Sequence, residues 1–99
     1  RIPAAVGEYR RAELRSPDPA ANPYLAFALM IRAGLRGMEE GLALPPAADL
    51  NFYQASPEIL ARFPLLPRSR SEAVAAARTS DFIAQAVPEM VAAEYFKQS

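Results

Sequence analysis

Arg11, Glu13 and Arg15 stand at strict two-residue spacing in the segment YRRAELR, and Arg1 lies a short stretch upstream. Spacing of two puts side chains on one face of an extended backbone, so these three share a side while Ala12 and Leu14 take the other. Guanidinium groups grip carboxylates and phosphates through paired N–H donors and stay charged at every working pH. A carboxylate set between them has two uses. It can be ion-paired to its neighbours, or it can hold a hard divalent cation such as Mg²⁺ that also meets phosphate oxygens. Arginines and a cation around a transferring phosphoryl group supply electrostatic stabilisation rather than covalent chemistry. The plainer alternative is a solvated face carrying an Arg–Glu–Arg ion pair of little energetic weight.

Composition removes most other chemistries. The chain of 99 residues has no Cys and no His, which excludes thiol nucleophiles, disulfide frameworks, zinc-finger spacing, imidazole bases and Ser-His-Asp triads. Lys+Arg and Asp+Glu are both 11, for a net charge of +0, so no nucleic-acid partner and no polybasic contact with a membrane are expected. Hydrophobic residues make up 52%, within the globular range. No apolar run approaches the roughly 18–20 residues that span a bilayer. The start at Arg1 without Met, the missing signal-peptide pattern and the lack of Cys are read as a piece of a longer, cytoplasmic protein.

The chemistry needs elements to hold it. Period-two alternation predicts a strand over residues 9–16, pairing with residues 1–3 as a β-hairpin whose turn centres near Gly7. The expected fold class is therefore α+β: a mostly helical piece with one N-terminal hairpin. SPDPAA follows as a turn, because Pro17 and Pro19 fix backbone angles and remove donors. Asn22-Pro23 then gives an N-cap and a proline at the first helical position, predicting a helix over 23–40. That helix opens with YLAFALMI, eight residues without a charge, so it calls for cover on all sides from material outside this chain. Gly34, Gly37 and Gly41 weaken its second half, and Pro45-Pro46 make the following stretch irregular. Ser56-Pro57 opens a helix over 57–62. Ser69 with Glu72 has capping-box spacing for one over 70–78, Ser80 caps one over 80–86, and Pro88 starts one over 88–98. Met90, Val91, Tyr95 and Phe96 are the apolar contacts expected of this last helix.

RIP, then RAELR, then PDPAANPYLA, then a glycine-interrupted helix resemble the C-terminal part of the catalytic domain of type I glutamine synthetases. LNFYQASPEIL and LPRSRSEAVAAARTSDFI are similar to later segments of that family in the same order, so the resemblance covers essentially all 99 residues. It implies a ligase using ATP and Mg²⁺ (or Mn²⁺). Glutamate is phosphorylated on its side-chain carboxylate, and ammonia displaces the phosphate. By position, the resemblance makes Glu13 a metal ligand facing the ATP phosphates. It makes Arg15 the catalytic arginine holding glutamate and its phosphorylated form, and Arg1 and Arg11 contacts of ATP and its phosphates. It implies a homo-dodecamer of two stacked rings, with the alternating strand lining the active-site funnel and the apolar helix behind it. Tyr53 falls where some members carry a tyrosine that is adenylylated, although a tyrosine beside Phe52 also serves packing with one bonded hydroxyl.

GLRGMEEGLALPPAAD departs from the commonest glutamine-forming pattern. A paralogue joining another amine to glutamate, of the polyamine or ethanolamine kind, therefore stays open. So do a non-catalytic relative kept for assembly and a free-standing helical interaction module. The N-terminal domain, the other metal-ligand glutamates, the ammonia-site acid and a segment past Ser99 are expected elsewhere in the longer protein, so the piece alone is expected to be inactive.

Overall fold

Asn22 sets the first long element. Its Oδ1 accepts from the N–H groups of Tyr24 at 2.9 Å and Leu25 at 3.3 Å, satisfying two donors that a helix start leaves free. Pro23, with no N–H to satisfy, takes the first helical position of α1, Pro23–Glu39. The turn feeding it is tied by Asp18, whose Oδ1 accepts from Ala20 N at 2.8 Å and whose carbonyl accepts from Ala21 N at 2.9 Å. The helix stops where Gly41 takes φ +61°, a left-handed conformation that favours glycine.

The computed structural model describes residues 1–97 and divides the chain into two units, Arg1–Glu39 and the chain from Glu40 onward. Among the described residues there is no strand, so the expected α+β class with an N-terminal hairpin is corrected to an all-helical one. The hairpin shrinks to one reciprocal exchange: Arg1 N donates to Glu13 O at 2.9 Å and Glu13 N to Arg1 O at 2.7 Å. In an antiparallel ladder the next bonded pair would be residues 3 and 11, and Pro3 has no N–H to give. The intervening loop also closes on itself. Gly7–Tyr9 form a single 3₁₀ turn, entered through Gly7 at φ +61°, with Tyr9 N bonded to Val6 O and Arg10 N to Gly7 O, both at 3.3 Å. Local turns therefore use the donors that a second strand needed.

In the second unit, residues 42–50 form no helix, as the Pro45-Pro46 pair requires. Asn51 then makes a turn, accepting from Tyr53 N at 3.0 Å, and Phe52 meets Phe63 edge-on at 5.1 Å between ring centres. Three serines start three helices. Ser56 Oγ accepts from Ile59 N at 3.4 Å at the head of α2, Pro57–Leu60, which ends two residues short of the expected Arg62. Ser69 Oγ accepts from Glu72 N at 3.2 Å at the head of α3, Arg70–Arg78. Ser80 Oγ accepts from Ile83 N at 3.2 Å at the head of α4, Asp81–Ala86. The capping box at α3 is shifted by one residue, since Glu72 Oε2 accepts from Arg68 N at 2.8 Å and not from Ser69 N.

The last helix, α5, runs Glu89–Lys97; residue 98, where its end was expected, lies outside the described residues. Its expected apolar contacts divide. Tyr95 and Phe96 are half-buried, whereas Met90 is 84% exposed. Arg70 reaches across from α3, donating to Tyr95 O at 3.0 Å and lying 5.3 Å from its ring centre, and Arg78 lies 5.4 Å from the Phe96 ring. The core is small. Val74 is the buried hydrophobic side chain among the described residues, on the helix that packs with α4.

Candidate functional site

Arg1, Arg11, Glu13 and Arg15 are brought together within the first unit. The backbone over residues 10–16 is free of helix, and the exchange with Arg1 pins Glu13 at its centre. The two-residue spacing then aims Arg11 and Arg15 at Glu13 from either side. Arg15 donates to Glu13 Oε2 through Nε at 3.2 Å and through a terminal nitrogen at 2.9 Å. Arg11 donates to Oε1 at 3.5 Å and holds its own Tyr9 carbonyl at 3.3 Å. The Arg1 guanidinium stands 3.9 Å from Oε2. Both carboxylate oxygens are thus engaged, and Arg11, Glu13 and Arg15 are one another's partners rather than a set lacking them.

Exposure is uneven across the cluster. The Glu13 side chain is 21% exposed, while those of Arg1, Arg11 and Arg15 are 68%, 57% and 76% exposed. The hydrogen bond from Arg15 does most to hold the Glu13 carboxyl below the usual carboxylate range; desolvation opposes it as the next-largest influence, and the charges of Arg15 and Arg1 and the bond from Arg11 add to the lowering. At pH 7 the cluster therefore carries three cations on one anion, a net positive surface suited to anions. Arg15 already places two nitrogens on one carboxylate oxygen, and the same charged N–H donors suit a phosphate oxygen.

Glu13 by itself supplies one carboxylate ringed by guanidinium charge, and a cation such as Mg²⁺ would complete its six positions there with waters, phosphate oxygens or further carboxylates. Among the described residues no group of three acidic, His or Cys side chains comes together to hold a metal. Tyr53, the remaining singled-out position, is in the second unit and fully exposed at 101% in the turn before α2. It is carried outward by the turn, while its neighbour Phe52 takes the packing role against Phe63. No helix among the described residues is long and apolar enough to cross a membrane.

One feature escaped the reading of the sequence. Arg70 and Arg78 mark the two ends of α3, and nothing in their spacing pointed to the aromatic pair Tyr95-Phe96.

A family model described as "Glutamine synthetase, catalytic domain" matches residues 1–98. Among similar proteins, the glutamine synthetase of Mycobacterium tuberculosis is 44% identical over 84 residues, 83% of this chain and 19% of that protein. The glutamine synthetase of Methanosarcina mazei is 40% identical over 97 residues, 96% of this chain and 22% of that protein. That of Thermus thermophilus is 43% identical over 93 residues, 92% of this chain and 21% of that protein. The chain spans about a fifth of the length of these relatives.

Proposed function

Because the chain belongs to the glutamine synthetase catalytic-domain family, we propose that it forms the C-terminal part of the catalytic domain of an ATP-dependent glutamate–ammonia ligase. The observation that carries the reading is the convergence of Arg1, Arg11 and Arg15 on one carboxylate, in a chain that the family model matches nearly end to end. In the proposed reaction the glutamate side-chain carboxylate attacks the terminal phosphorus of ATP and ADP leaves. Ammonia then attacks the acyl carbon of the γ-glutamyl phosphate and inorganic phosphate leaves. Charge builds on phosphoryl oxygens in the first step and on departing phosphate in the second, and fixed guanidinium groups stabilise both. Arg15 holds the glutamate and its phosphorylated form; Arg1 and Arg11 hold the nucleotide phosphates.

A divalent cation would supply further charge neutralisation at the phosphates. The placement of Glu13 as its ligand rests on the resemblance, and in this structure Glu13 is the counter-ion of the arginines. The longer protein is proposed to be cytoplasmic and to assemble as a homo-dodecamer. Tyr53 is proposed as a modifiable position, supported by its full exposure.

The test uses the full-length protein. ATP-dependent phosphate release with glutamate and Mg²⁺ is followed with ammonium and with a panel of small amines. Release with ammonium, falling by about 100-fold or more in Arg15→Ala, is expected. Release with another amine alone keeps the mechanism and makes the protein a γ-glutamyl-amine ligase. Silence with every amine favours the non-catalytic relative.

A further inference from the structure

Arg70 opens the nine-residue helix α3 and Arg78 closes it, which sets their backbones about 12 Å apart along the axis. Both nevertheless reach side chains that are neighbours on α5. The Arg70 guanidinium carbon lies 5.3 Å from the centre of the Tyr95 ring, and a terminal nitrogen donates to Tyr95 O at 3.0 Å. The Arg78 guanidinium carbon lies 5.4 Å from the centre of the Phe96 ring. A cation within about 6 Å of a ring centre is attracted by the electron-rich face of the ring. Two arms from opposite ends of one helix thus close on adjacent rings of another. We propose that Arg70 and Arg78 latch α5 to α3, and that α5 is a strap that opens as a unit while α3 and α4 stay folded. The inference goes beyond the ligase reading and stands without it.

Three features set α5 apart from the pair α3–α4. Ala92, Tyr95 and Phe96 are half-buried, Met90 is 84% exposed, and no described side chain of α5 is buried, so apolar packing holds this helix weakly. Its start is also less well tied. Ser69 and Ser80 cap α3 and α4 through their hydroxyls, whereas α5 follows Pro88, whose side chain has no oxygen to offer. The third feature is a hinge. Val87, at φ −113° and ψ 127°, takes the extended backbone that a residue before proline favours. Its N–H still closes α4 on Ile83 O at 2.9 Å. Rotation about its ψ therefore swings Pro88 and α5 without breaking that bond. Weak burial, an uncapped start and a hinge describe a segment of low local stability, and the arginine contacts are what oppose its opening.

Amide hydrogen exchange in the full-length protein, read by mass spectrometry, tests the latch by comparing residues 89–97 with residues 70–86. An exposed cation–π contact is worth a factor of about two to five, so losing both in Arg70→Gln/Arg78→Gln should speed exchange over 89–97 by about fivefold or more. Exchange over 70–86 should rise by clearly less. Phe96→Leu supplies the second arm, because it keeps an apolar side chain on α5 and leaves α3 untouched. Arg78→Gln should speed exchange over 89–97 by about twofold or more when Phe96 is present, and by little in the Phe96→Leu background. Unchanged exchange over 89–97 in the double variant overturns the proposal. So does an equal or larger rise over 70–86, which would make α5 part of one cooperative unit with α3 and α4. An Arg78→Gln effect of the same size in both backgrounds overturns it too, since the charge would then act elsewhere than on the ring.

Discussion

Glu13 responds to pH in a direction fixed by its surroundings. Its folded-state carboxyl is held below the ordinary 4.5, so the arginine contacts are in full force above that value and are lost as pH falls through the lower folded value. The Glu13 carboxyl carbon resonance should therefore titrate with a midpoint below 4.5, and Arg15→Ala should bring that midpoint back up. Because the arginines are mostly exposed, added salt should move the midpoint the same way as the mutation does. A midpoint at or above the ordinary value would mean that the cluster does not persist in solution. At the same scale, Tyr53→Phe should leave stability unchanged, since a fully exposed ring has little to lose.

At the scale of the element, caps and glycines set helix stability. Ser69→Ala and Ser80→Ala each remove a hydroxyl that accepts from a helix N–H, and each should destabilise the second unit by about 1 kcal/mol in denaturant titration. Gly37 and Gly41 should respond oppositely to alanine. Gly37 is inside α1, where an added Cβ meets nothing within 4 Å, so Gly37→Ala should raise helicity by about 0.5–1 kcal/mol, read by circular dichroism. Gly41 sits at φ +61°, so Gly41→Ala should be destabilising by about 1 kcal/mol. These sites were legible because capping and left-handed turns depend on a few neighbouring residues. The absent strand was not legible from alternation, because pairing depends on what stands opposite. The Pro3 donor deficit and the 3₁₀ turn at Gly7–Tyr9 removed the partner.

For the whole molecule, burial is the governing quantity. The chain leaves 8944 Å² accessible to solvent, whereas two independent folded bodies of these sizes would together expose about 6,700 Å². The excess includes one continuous face of α1, where Tyr24, Phe27, Ile31, Leu35 and Met38 recur at helical spacing and are 49–85% exposed. An apolar stripe of that length is expected to be covered by other protein. The isolated chain should accordingly bind a hydrophobic dye, associate as its concentration rises and melt with weak cooperativity. A sharp, concentration-independent transition without dye binding would instead mark a free-standing module.

The sequence by itself determined the helices, their serine and asparagine caps, and the presence of a charged triplet on one side of an extended segment. Each of these follows from interactions within a few residues along the chain. It also carried the family resemblance, because the ordered motifs are specific as strings. Only the tertiary structure decided that the alternating segment has no sheet to join. It also decided that Glu13 spends its oxygens on arginines. These outcomes depend on which donors and charges distant residues present to one another, and periodicity along a single segment holds no record of that.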